Sequence, residues 1–234
     1  MVSTKGGQGK STLSLCMSYS KAFEKKYNSV GLVEMDIQGT LRSWYVDRSE
    51  EGKNKNDKVS FTHLNETKPQ VFTNTISDII KRNDVVIMDI AGEGVGREYI
   101  QFALLQSDVV IIPMRSSVND EASFYDNLNP AIQKVIKNNP KRRKGVFHIL
   151  PTFVHPAKNP EKVREYFQEI LPDYMNVLPC CFFFRGVYDD YNFGGNTLRE
   201  YLDLSKTNQR EFVKAKKANE DIEMISKHIV KMDK

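Results

Sequence analysis

Three glycines in five positions, followed by a lysine and two hydroxyls, make Lys5-Gly6-Gly7-Gln8-Gly9-Lys10-Ser11-Thr12 the stretch whose residue types could do chemistry. Glycine permits tight turns with positive φ, and such turns aim successive backbone N–H groups into a concavity that holds an anion. The apolar-periodic stretch 13–27 then reads as a helix, whose N-terminal donors and dipole favour phosphate at the same point. Lys10 would reach β- and γ-phosphates there, and the Ser11 hydroxyl would bind Mg2+. The run misses the strict P-loop spacing, and a second lysine, Lys5, heads it. A Gly-Gly-x-Gly turn can also be plain strand-to-helix punctuation; the opening of a helix by Lys10-Ser11-Thr12 favours phosphate.

Two acids complete the set. The apolar runs 30–36 and 84–89 end in Asp36 and Asp89. Open parallel sheets bind ligands beyond the carboxyl ends of their strands, where a carboxylate such as Asp89 can hold a Mg2+ water. The structural alternative is an aspartate that caps the next turn.

These residues need a scaffold. Apolar runs alternate with helical patterns along the whole chain, which argues for βαβ units and a parallel sheet, hence an α/β fold. Strands are expected at 30–36, 84–89, 108–113, 145–150 and 177–184, helices at 71–81, 121–137 and 205–234, and an exposed loop at 49–58. No linker or repeat divides the chain, so one domain over 1–234 is expected, with C-terminal helices from about 205. Only Met1, Val2, Ser3 and Thr4 precede Lys5. A P-loop normally hangs from a strand of about five residues, so either the natural start lies upstream or a short strand is tolerated.

The 234 residues are 40% apolar and 27% charged, ordinary for a soluble chain, and a net charge of +4 permits weak contact with nucleic acid without requiring it. Three cysteines, an odd number, argue against a disulfide framework and for a reducing compartment. Cys180 and Cys181 lie in an apolar run and read as buried strand residues rather than metal ligands. No apolar stretch approaches the ~18 residues of a membrane span, and no signal peptide is seen, so a cytoplasmic protein is expected.

Lys5-Gly6-Gly7-x-Gly9-Lys10-Ser11 resembles the deviant Walker A motif of the ParA/MinD family of ATPases. Glu34-Met35-Asp36-Ile37-Gln38-Gly39 is similar to that family's Asp-x-Asp-Pro-Gln-Gly switch, with Glu34 and Ile37 as departures. Ile90-Ala91-Gly92-Glu93-Gly94 is close to the Gly-Ala-Gly turn that follows Walker B in small plasmid partition members. Asp108 to Pro113 resembles a family strand, and Ser117 and Asp120 fall where the family has Ser and Asp; Asp120 reads as a helix cap or interface group. Leu41-x-Ser43-Trp44 fits as well, with Trp44 as packing. Residues 184–201 are similar to the stretch after the last strand, which makes Phe184 and Arg185 the implied adenine neighbours, although the usual proline is missing.

The resemblance implies a P-loop NTPase fold, a twisted, mostly parallel sheet with helices on both faces. It implies slow hydrolysis of ATP to ADP with Mg2+. Lys5, Lys10 and Asp36 would be catalytic, residues Lys5, Gly6, Gly7, Gln8, Gly9, Lys10, Ser11 and Thr12 would bind nucleotide, and Ser11, Asp36 and Asp89 would serve the metal. Lys5 would contact the phosphates of a partner subunit in an ATP-held homodimer. Such a dimer binds DNA non-specifically on the nucleoid and answers to a ParB-like centromere-binding protein, with no integral membrane association. Arg210, Lys214, Lys216 and Lys217 are candidate DNA contacts, each of which can equally belong to a solvated helix face. The alternatives are a MinD-like membrane-positioned ATPase and a nucleotide-binding scaffold without turnover. An iron–sulphur reductase of similar fold is disfavoured because no cysteine lies between Cys16 and Cys180.

Overall fold

The computed structural model describes residues 1–3, 5–36, 38–64, 68–90, 97–143 and 145–233. The turn expected at 91–94, the Ile37 departure and the terminal Lys234 lie outside the described residues. In chain order the helices are α1 (Lys10–Ser18), α2 (Lys21–Lys26), α3 (Thr40–Glu50), α4 (Pro69–Arg82), α5 (Arg97–Gln106), α6 (Val118–Ser123), α7 (Asn129–Asn138), α8 (Pro160–Ile170), α9 (Val187–Asp190), α10 (Leu198–Leu204) and α11 (Gln209–Met232). The strands are β1 (Val30–Met35), β2 (Val59–His63), β3 (Val85–Ile90), β4 (Val110–Met114), β5 (Phe147–Val154), β6 (Asn176–Val177) and β7 (Phe182–Phe183). The result is an α/β fold of parallel sheets with helices, as the alternating pattern requires.

The chain divides into two compact units. The first holds Met1–Lys10, Ile90–Phe184 and Lys231–Lys234. Its sheet runs β4-β5-β6, with β7 also beside β5, and these pairings are parallel. All five residues of β4 are buried, the signature of a parallel strand covered on both faces. Val2 bridges Ile90 in parallel, and its N–H donates to the Ile111 carbonyl at 3.1 Å. Partners on both sides of Val2 hold the chain just ahead of the glycine run.

The second unit holds Ser11–Asp89 and Arg185–Val230. Its sheet runs β2-β1-β3, with β1 fully buried in the middle. One polar group in its core stands out. Arg48 of α3 is 2% exposed and donates to Asp57, Glu200 and the Gly195 carbonyl while its guanidinium lies 5.1 Å from the Tyr19 ring centre. Glu200 also closes a capping box with Thr197 at the start of α10.

Several boundaries differ from the sequence expectation, each for a local reason. The helix expected over 13–27 is two, because the Ser20 hydroxyl accepts the Phe23 N–H and starts α2 afresh. The helix expected over 121–137 begins at Val118, capped by Ser117, and passes through a π-helical turn at Phe124–Leu128. The strand expected over 177–184 is two short ones, β6 and β7, with Pro179 between them lacking an N–H for the ladder. The exposed loop 49–58 begins inside α3 and gives its Asp57 to Arg48, while β2 directly after it was not expected. All three cysteines are free and buried, and burial pushes the Cys16 and Cys180 thiols up to about 12.

Candidate functional site

In the first unit the glycine run forms the loop its composition demands. Gly7 and Gly9 have φ of +67° and +80°, a region closed to most side chains. A side chain at Gly9 would also meet the Phe182 ring at 2.9 Å. Lys10, the first residue of α1, is 6% exposed. Its ammonium donates to the Ser3 hydroxyl at 3.0 Å and to the Lys5 carbonyl at 3.2 Å, so it lies within the loop's own polar lining. Lys5 is held elsewhere: its ammonium donates to the Asn119 carbonyl at 2.8 Å and sits 3.5 Å from the Asp120 carboxylate. The Gln8 amide donates to the same carboxylate at 3.2 Å. Asp120 is therefore the local counter-charge of the loop, and the capping role falls to Ser117 instead.

In the second unit the Ser11 hydroxyl donates to Asp89 Oδ2 at 2.6 Å. Asp89, next to last in β3, is 1% exposed. A hydroxyl and a carboxylate in contact are hard oxygen donors of the kind Mg2+ takes when phosphates and waters complete its shell. Among the described residues no cluster of three His, Cys, Asp or Glu side chains offers an all-protein cage. The residues present thus fit Mg2+ held jointly with a nucleotide.

Glu34 has a role that sequence reasoning did not assign. It is fully buried in β1, and its two carboxylate oxygens accept the N–H groups of Leu41 and Arg42 at 2.7 and 2.9 Å. These are orphan donors in the first turn of α3, whose N-cap Gly39 has no side chain to offer them. The signal in the sequence was the glycine at a helix start with an acid five residues earlier. Burial pushes the Glu34 carboxyl above its usual range; the two amides oppose this and Asp89 adds to it. A carboxyl raised in the folded state contributes stability below its ordinary pKa and loses that contribution as pH rises through the folded value. Glu34→Ala should cost about 1–3 kcal/mol at neutral pH by orphaning both donors, and should remove this downward slope. Urea denaturation across the acid-to-neutral range measures both effects.

Asp36 follows β1 directly. Its Oδ1 accepts the Gln38 N–H at 2.9 Å and its carbonyl accepts the Gly39 N–H at 3.2 Å, which folds the segment into a tight turn ahead of α3. Trp44 is 3% exposed and donates its indole N–H to the Asn196 carbonyl, in keeping with packing. Arg185 pairs with Asp221 of α11 in the second unit, and Phe184, 55% exposed, lies beside Phe153 in the first. Gly6 is exposed and Thr12 half-buried.

Comparison with known proteins bears on the fold and on the nucleotide-binding domain. The model of the CobQ/CobB/MinD/ParA nucleotide binding domain matches residues 1–181. Among solved structures, the fold is similar to that of a protein from Borrelia burgdorferi B31 assigned to plasmid partition and crystallised with AMPPNP bound. The TM-score is 0.56 at 18% identity, with 97% of each chain covered, a likeness of fold. No curated protein matches the chain.

Proposed function

Because the chain belongs to the CobQ/CobB/MinD/ParA nucleotide-binding domain family, we propose that it acts, as one ATPase domain over 1–234, as a partition switch that hydrolyses ATP to ADP. ATP binding would join two copies, the pair would bind DNA without sequence choice, and a ParB-like centromere-binding partner would trigger hydrolysis. A cytoplasmic, nucleoid-associated protein follows from this reading. The observation that supports it most directly is the Ser11 hydroxyl on Asp89, which ties the start of the P-loop helix to a strand-end carboxylate.

The chemistry asked of these residues is positioning and charge neutralisation. The loop amides and Lys10 would hold the β- and γ-phosphates. Ser11 and Asp89 would hold Mg2+, with Asp36 near it; the ion, when bound, offsets charge on the phosphate oxygens. Asp36 would orient the water whose oxygen bonds to the γ-phosphorus as the bond to the β-phosphate oxygen breaks. Phe184 and Arg185 are the proposed adenine neighbours. Lys5 would add a second cation at the partner's phosphates, which requires it to leave Asn119 and Asp120.

Arg210, Lys214, Lys216 and Lys217 are all exposed on α11 and remain the proposed phosphate contacts for DNA. The same helix buries Ile222 and Ile225, which disfavours its use as a bilayer anchor of the MinD kind. Among the described residues no helix is long and apolar enough to cross a membrane.

The test compares wild type with Lys5→Ala in ATP, ADP and no nucleotide, by light scattering and by gel retardation of plain duplex DNA. Wild type should dimerise and retard DNA only with ATP. Lys5→Ala should keep ATP binding and lose both properties. Equal retardation in all three conditions, or unchanged dimerisation of the variant, contradicts the proposal.

A further inference from the structure

Arg115 stands just beyond β4, at the carboxyl end of its strand. Its guanidinium donates to the Gly7 carbonyl of the P-loop at 2.7 Å and lies 4.2 Å over the Phe153 ring. Both contacts fall within the first unit. Among the described residues Arg115 makes no ion pair, although it is exposed. Its position is therefore set by the loop and by the ring.

The ring is itself placed by an irregularity. Pairing between β5 and β7 slips by one residue at Phe153: Thr152 pairs with Phe182, and Val154 with Phe183. Phe153 is the extra residue and takes φ +52°, the sole described non-glycine residue with positive φ. Such a bulge re-aims a side chain, and a bulky residue held in this region is strained unless its surroundings fix it. Here the surroundings are aromatic: Phe182 edge-on at 6.1 Å and Phe184 tilted at 6.2 Å, with Phe182 also closing on Gly9.

The consequence lies in one peptide plane. The Gly7 carbonyl and the Gln8 N–H belong to the same rigid unit and point in opposite directions. Glycine at Gly7 makes a flip of that unit cheap. A guanidinium that holds the carbonyl blocks the flip and so fixes where the Gln8 N–H aims. We propose that Arg115, stacked on Phe153, is a positioning residue that keeps the Gln8 amide turned into the phosphate concavity. This rests on the nucleotide-binding reading of the loop.

The test uses the full chain with Mg2+ and a fluorescent ATP analogue, together with backbone amide exchange in the absence of nucleotide. Arg115→Ala should weaken nucleotide binding about tenfold, the worth of one charge-assisted hydrogen bond with its cation–π support. Its unfolding midpoint should stay near wild type, because the side chain is exposed. Exchange of the Gln8 amide should quicken while amides of β4 and β5 keep their protection. Arg115→Lys, which retains a donor for Gly7, should recover part of the affinity. Phe153→Leu should weaken binding in the same direction, and the double variant should be no weaker than Arg115→Ala. Wild-type affinity in Arg115→Ala, or unchanged Gln8 exchange, overturns the proposal. Failure of the wild type to bind nucleotide overturns the underlying reading instead, and the Gln8 exchange then still decides whether Arg115 holds the peptide.

Discussion

Lys10→Ala is expected to lower ATP turnover by about 10²–10³-fold or more, the loss seen when a preorganised charge-stabilising donor is removed. The ammonium is buried at 6% exposure and donates to the Ser3 hydroxyl and the Lys5 carbonyl at the head of the loop. Both acceptors are polar groups that a bound phosphate would compete with for the same cation. The side chain is thus already desolvated and aimed along the loop before any ligand arrives, and little reorganisation is needed when charge develops. Phosphate release under saturating Mg2+ and ATP measures the effect. The variant should unfold at nearly the wild-type midpoint, which separates lost chemistry from lost fold. Turnover within threefold of wild type would refute the assignment of Lys10.

Arg48→Met should cost about 3 kcal/mol of stability, because removing one member of a buried charge cluster leaves its partners uncompensated. Methionine keeps much of the stem volume, so the loss reports on the guanidinium rather than on a cavity. Asp57 and Glu200 lie on segments far apart in sequence, and the Gly195 carbonyl completes the set. Burial alone would raise the Glu200 carboxyl, but the Arg48 guanidinium and the Thr197 amide outweigh it and hold the group below its usual value. A depressed carboxyl contributes stability above its unfolded pKa, and the contribution is lost as pH falls through the folded one. Wild type should therefore weaken on acidification below the ordinary glutamate range, and Arg48→Met should show less of that slope. Gly195→Ala gives an independent check. Gly195 has φ +68°, and a Cβ there would lie 2.3 Å from the Arg48 backbone, so this single methyl should destabilise the unit at least as much. Urea midpoints across the acid range settle both; an unchanged midpoint in either variant would mean that the cluster carries no stability.

What could be read from residues alone was whatever chemistry imposes on residue type. A phosphate loop needs glycines at positive φ, and Gly7 and Gly9 supply it. A hydroxyl after the lysine and an acid closing a buried strand were legible, and Ser11 and Asp89 prove to be in contact. The strand β2 was missed because it lies at a sheet edge and carries Ser60, Thr62 and His63, so only Val59 is buried. Glu34 was legible as an acid near the switch but not as the cap of α3, since that role depends on the chain turning back over Asp36. Arg115 and Gly7 are 108 positions apart, and nothing in local periodicity announces such a pair. Arg48 carried no signal in the sequence, because its partners Asp57 and Glu200 come together around it only in the fold.

The three deeply covered thiols have a practical consequence. Cys16 and Cys180 are held protonated far above neutral pH and Cys181 is equally shielded, so none offers the thiolate that maleimides and iodoacetamides attack. A cysteine introduced at an exposed position should accept a dye selectively in the otherwise native chain. Two batches labelled with donor and acceptor fluorophores could then report association between copies in real time, with no background to engineer away.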